Sequence, residues 1–147
     1  MNKVEIQVKT FDELTKTELY ELLLLRAQVF IVEQQGQYLD LDRIDYQSLH
    51  LFCQESDGQV LGYLRLFAKT DESGTVQLGR MVTRDRRTGL GRHLVETAKT
   101  VAKSRFGAGE IYLTGRPSAL GFYEKLGFRA ERPRPAGQGY YELRCTL

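Results

Sequence analysis

The sequence predicts an α+β fold, close to an α/β sandwich, in which helices flank a mixed, mostly antiparallel central sheet of six to seven strands. Three observations predict it. Apolar runs at 49–55, 60–68 and 76–82 are joined by short polar turns, the pattern of an antiparallel meander. Residues 16–30 and 90–106 space their apolar side chains for helices. A strand–helix–strand succession then completes the order β-α-β-β-β-α-β-α-β. At 147 residues, the chain is long enough for one domain (1–147) with its own core.

Val4, Ile6 and Val8 alternate with Glu5, Gln7 and Lys9, the period of a half-buried strand. Thr15-Lys16-Thr17-Glu18 fits a capping box with Thr15 as N-cap, and Leu14 and Leu19 are spaced as a hydrophobic staple. The helix is expected over 16–30, with Leu19, Leu22, Leu23, Arg26 and Phe30 at helical spacing. Arg26, on the buried side, needs a partner or snorkels to water.

Residues 29–46 lack a period and carry Glu33, Asp40, Asp42 and Asp45 with Tyr38 and Tyr46. Asp40-x-Asp42-x-x-Asp45 lacks the glycine and closing glutamate of a calcium loop, so no metal is expected. The stretch reads either as a solvated surface loop or as an acidic, aromatic holder for a cationic substrate. Asp57-Gly58 marks a hairpin, and residues 71–74 form a second turn. In the helix over 90–106, Leu90, Leu94, Val95, Ala98, Val101 and Ala102 share one face, and Gly107 and Gly109 end it. A short strand at 110–114 and a helix from 116 to about 126, stopped by Gly127, follow. Pro133, Pro135, Gly137 and Gly139 mark a loop before the last strand, 140–147.

A composition 41% hydrophobic and 27% charged is that of a soluble globular protein, and a net charge of +2 gives no global field for nucleic acid. The longest apolar run, 22–25, is far too short for a bilayer, and no signal-peptide core follows Met1. The expected location is therefore cytoplasmic, with no membrane partner. Cys53 and Cys145, both in apolar strand-like runs, form neither a disulfide framework nor a metal cluster.

Charge is locally uneven. Residues 80–92 hold Arg80, Arg84, Arg86, Arg87 and Arg92 against Asp85 alone. Within them, Arg86-Arg87-Thr88-Gly89-Leu90-Gly91-Arg92 joins a strand to a helix. Glycines let backbone approach a ligand, and a helix N-terminus offers free N–H groups to an anion, so a phosphate group suits the turn. A dinucleotide fingerprint is excluded because Leu94 stands where its third glycine belongs, and a Walker A loop because Arg80 follows Gly79. What remains is a strand, R-x-x-G-x-G and a helix, preceded by a meander.

On these residues the chain resembles the GCN5-related N-acetyltransferases, the GNAT superfamily, whose signature is Q/R-x-x-G-x-G/A. Ala119-Leu120-Gly121-Phe122-Tyr123-Glu124-Lys125-Leu126-Gly127-Phe128 is similar to its second signature, A-x-x-F-Y-x-x-x-G-F. The resemblance covers nearly the whole chain. Leu25-Arg26, Val29-Phe30, Val32-Glu33-Gln34, His50 and Gly79-Arg80 resemble the ElaA-like subgroup.

The resemblance implies the GNAT fold and acetyl-CoA as cosubstrate, with a primary amine of a small molecule or peptide as acceptor. It places the CoA pyrophosphate on the amides of Arg87, Thr88, Gly89, Leu90, Gly91 and Arg92, and pantetheine along Met81, Val82 and Thr83. Tyr123 falls on the catalytic tyrosine, a general acid for the departing thiolate. Glu33 is an expected substrate contact. The general base stays open among Glu33, His50 and an acid at 40, 42 or 45 acting through water. Many relatives form homodimers, so a homodimer is a possible assembly. The alternative reading is a CoA-binding sensor without efficient chemistry. Three features depart from the family pattern. The connection from Arg80 to Arg86 is about two residues short, Arg116 stands where Asn is common, and Gly121 replaces a larger polar residue.

Overall fold

The computed structural model describes residues 4–86, 88–133 and 139–147. Its strands are β1 (Gln7–Thr10), β2 (Leu49–Gln54), β3 (Val60–Ala68), β4 (Thr75–Thr83), β5 (Glu110–Gly115), β6 (Arg129–Pro133) and β7 (Tyr141–Thr146). They form one sheet in the order β1-β2-β3-β4-β5-β7-β6, antiparallel except at β4–β5. The helices are α1 (Lys16–Arg26), α2 (Leu90–Phe106) and α3 (Leu120–Lys125).

Strand alternation assigns side chains to two cores. Leu49, Leu51, Leu64 and Leu66 pack under Leu94, Val95 and Ala98 of α2, joined by Tyr123 of α3 and by Leu126 just past its end. The intervening Phe52 and Tyr63, with Val82, turn to the opposite face and pack against Leu22 and Leu25 of α1. Each such burial stabilises by roughly 1.5–3 kcal/mol.

The capping box forms: the Thr15 hydroxyl accepts from the Glu18 amide at 3.0 Å, and Glu18 accepts from the Thr15 amide at 2.9 Å. Leu14 and Leu19 both pack against the α1 core. Gly58 (φ +95°) turns the β2–β3 hairpin, and Gly107 (φ +62°) closes α2 by donating to the Lys103 carbonyl.

Three expectations shift. The first strand begins at Gln7 rather than Val4, because pairing with β2 starts at Gln7 opposite Phe52 and β2 changes register beyond Cys53. The first helix is α-helical only to Arg26 and continues as a π-helix over Ala27–Glu33, where the Gln34 amide reaches back five residues to Val29. The looser winding lies where Arg26 turns into the protein and Phe30 and Gln34 reach a cleft described below. β6 was hidden by its polar sequence and Pro133; it lies at the sheet edge, where proline is tolerated. Pro135 and Gly137 lie outside the described residues.

Candidate active site

β4 and β5 pair only over Thr75–Gln77 opposite Glu110–Tyr112, and then they part. β4 meanwhile stays paired with β3, but with one residue too many: Tyr63 opposes Val82, while Arg65, two residues on, opposes Gly79, three residues back. The extra residue makes a β-bulge at Arg80, whose φ of +52° is uncommon outside glycine and costs on the order of 1–3 kcal/mol. The parting leaves a cavity of about 450 Å³ between Leu78, Gly79, Arg80 and Met81 on one side and Leu113, Thr114, Gly115 and Tyr123 on the other. Phe30, Gln34, Tyr38 and Tyr140 close its remaining walls.

The outer edge of β4 retains hydrogen-bonding capacity toward this cleft. The Arg84 amide donates to the Leu61 carbonyl of the β3 side at 2.8 Å. Alternation turns the amide of Val82 the same way and those of Met81 and Thr83 toward the parted side. Val82 itself pairs with Tyr63 and buries its side chain in the α1 core, whereas Met81 lines the cleft.

Past the end of β4, Gly89 (φ +81°) is the N-cap of α2. A Cβ there would meet nothing, so the backbone conformation alone calls for glycine. At Gly91 a Cβ would lie 2.9 Å from Met81 Cε and 3.3 Å from Phe122 Cζ, so this glycine lets the first turn of α2 rest against β4 and α3. The Thr88 hydroxyl accepts from the Leu90 amide at 3.3 Å, which leaves its own hydrogen free to donate. Arg92 is exposed, and Arg87 lies outside the described residues.

Tyr123 is 8% exposed, set edge-on to Phe122 and Phe128 at 5.0 and 5.5 Å between ring centroids. Burial pushes its phenol well above the usual tyrosine range, so it carries its proton at any physiological pH.

The acidic stretch is neither of the things it resembled in the sequence. Arg26 is fully buried rather than snorkelling, with Nε on Asp40 at 2.9 Å and Nη1 on Asp45 at 2.8 Å. Arg65, 2% exposed, grips Asp42 with both Nη atoms at 2.9 and 2.6 Å and also donates to Asp45 at 2.9 Å. Arg80 donates from Nε to Asp40 at 2.7 Å. Three arginines thus engage all three aspartates, which overturns the reading of a solvated loop or cation holder. Burial raises the pKa of Asp45, but hydrogen bonds and charge from Arg26 and Arg65 outweigh it and hold the carboxyl below its ordinary value. Asp42 is held low in the same way, chiefly by Arg65.

His50 is fully buried between the Tyr63 hydroxyl at 2.6 Å and the Asp45 carbonyl at 2.9 Å, and desolvation lowers its pKa. It does not line the cleft, which leaves it a structural residue. Glu33 is exposed at the end of the π-helix; its neighbour Gln34 lines the cleft instead. Sequence reasoning missed Arg65 as a cleft residue, although an arginine inside the apolar run 60–68 was itself a signal; Tyr38, in the stretch read as a substrate holder, does line the cleft.

The model of the Acetyltransferase (GNAT) family matches residues 16–128. A UPF0039 protein of Schizosaccharomyces pombe is 33% identical over 132 residues, 88% of this chain and 87% of its own. Protein ElaA of Escherichia coli is 28% identical over 129 residues, covering 85% and 84%. Among solved structures, an acyl-CoA N-acyltransferase from Pseudomonas aeruginosa superposes with a TM-score of 0.86 at 33% identity, over 97% of this chain and 99% of that one. No helix among the described residues is long and apolar enough to cross a membrane.

Proposed function

Since the chain belongs to the GNAT acetyltransferase family and is an acyl-CoA N-acyltransferase, we propose that it moves the acetyl group of acetyl-CoA to a primary amine of a small molecule or peptide by direct attack. The carrying observation is the parted β4–β5 edge, with Tyr123 on one wall and the glycine turn of α2 beyond the end of β4. The amides of residues 88–92 receive the pyrophosphate at the α2 N-terminus, and the free edge of Met81 and Thr83 pairs with the pantetheine amides. An N–H of that edge also donates to the thioester oxygen as it gains charge.

In the reaction, the neutral amine nitrogen bonds to the thioester carbon and the carbon–sulfur bond breaks. The sulfur leaves with the electron pair and takes the phenolic proton of Tyr123, while the ammonium proton passes to water and a proton from water restores the phenol. Glu33 lies outside the cleft wall in the free protein, so a contact with substrate requires an acceptor that extends past Gln34.

A thermal shift with acetyl-CoA tests this reading. Ligand at ~100 times its Kd stabilises by ~2.7 kcal/mol, which for a domain this size raises Tm by roughly 5–10 °C. No shift at saturating acetyl-CoA defeats the proposal. A shift without thiol release on any amine favours a CoA sensor instead. Gly89→Glu is expected to abolish the shift, because the carboxylate opposes the pyrophosphate and the left-handed backbone disfavours a side chain. Undiminished affinity in that variant would place the pyrophosphate elsewhere.

A further inference from the structure

Resting on the acyl-transfer reading above, we infer that the acceptor is a small amine that also carries a carboxylate, an amino-acid-like zwitterion rather than a polyamine or aminoglycoside. Among the described residues, the cleft wall contains no aspartate or glutamate and three arginines, Arg65, Arg80 and Arg116. The first two are matched: with Arg26 they spend their charge on Asp40, Asp42 and Asp45, three cations on three anions. Arg116 is not matched. It is exposed at the start of the turn leading into α3, on the cleft wall, with no ion pair among the described residues.

A second unsatisfied donor lies on the cleft floor. Arg65 Nε is buried without a hydrogen-bond partner, the only such side-chain atom among the described residues. Gly79 packs over it, where a Cβ would come within 3.6 Å of Nε and 3.7 Å of the Phe67 ring.

The cleft therefore offers positive charge at Arg116 and, among the described lining residues, no carboxylate for a second ammonium group. A polycation entering it meets Arg116 with no carboxylate on the described wall to offset the repulsion. A carboxylate finds in Arg116 a planar donor suited to grip it through two N–H bonds. The same cationic wall disfavours the ammonium form of the acceptor, so it favours the neutral nucleophile without a carboxylate base in the cleft. That accounts for a site in which no such base is found among the described lining residues.

The test is free-thiol release from acetyl-CoA with amino acids, their carboxamides, spermidine and an aminoglycoside. An amino acid is expected to exceed its carboxamide in kcat/KM by at least about tenfold, the ratio that one charge-assisted hydrogen bond supports. Arg116→Ala raises KM for the amino acid and leaves that for the carboxamide unchanged, and Arg116→Lys restores part of the difference. Equal rates for acid and amide, or a preference for spermidine, overturn the inference and leave acyl transfer standing. A normal acetyl-CoA shift with no turnover of any amine overturns it as well. Absence of the shift itself defeats the acyl-transfer reading on which the inference rests.

Discussion

Tyr123→Phe is expected to lower kcat by ~10²–10⁴ while leaving acetyl-CoA affinity and stability nearly unchanged. The substitution removes one hydroxyl and keeps the ring that packs edge-on against Phe122 and Phe128, so the α3 end of the core stays filled. What is lost is the proton offered to the sulfur as the carbon–sulfur bond breaks. Burial holds the phenol above the usual tyrosine range in the free protein. Proton transfer is therefore uphill while little negative charge sits on the sulfur. The hydroxyl contributes most late in the bond cleavage, and the loss falls on kcat rather than on binding. An acyl donor whose thiol is more acidic needs this help less, so the wild-type to Tyr123→Phe ratio should shrink with such a donor. An unchanged turnover number in the variant would remove Tyr123 from the chemistry. A ratio indifferent to the leaving thiol would leave it a positioning residue only.

How far the sequence carried depends on the separation of the interacting partners. The Thr15–Glu18 capping box, the Asp57-Gly58 hairpin, the glycine turn at 89–91 and the Gly107 stop are each decided within a few residues, and all of them stand in the structure. The arginine–aspartate network is decided by contacts 14 to 40 residues apart, and no local pattern states them. Periodicity put Arg26 on an inward face but left its partners unnamed. The parting of β4 from β5 is likewise invisible locally, since both continue as strands past the point where pairing stops, to Thr83 and Gly115. The resemblance to the ElaA-like subgroup groups Arg26, His50 and Gly79-Arg80. In the structure, Arg26 and Arg80 share Asp40, His50 rests on the Asp45 carbonyl, and Gly79 lies over Arg65. That set belongs to one buried assembly tying the loop after α1 to β2, β3 and the bulge of β4, and so to the shape of the cleft.

Asp45→Ala is expected to destabilise the fold by ~3–5 kcal/mol, lowering Tm by roughly 10 °C, because it leaves hydrogen-bonding groups of two buried guanidiniums, on Arg26 and Arg65, without an acceptor. Combining it with Arg26→Met should recover part of the loss, since the second change removes the surplus positive charge that Asp45 balanced. The pH dependence follows from the direction of the Asp45 shift. Its carboxyl is held below its ordinary value in the folded protein, so the unfolded chain takes up the proton first as pH falls. The stabilisation is therefore complete above the unfolded value of about 3.9 and is lost as pH drops through it toward the folded one. Wild type and Asp45→Ala should accordingly differ most near neutrality and converge in acid. Chemical denaturation of both proteins from pH 7 down to pH 3 measures the gap. A gap that stays constant across that range would mean that Asp45 contributes through packing and neutral hydrogen bonds, with no ionised carboxylate joining the two arginines.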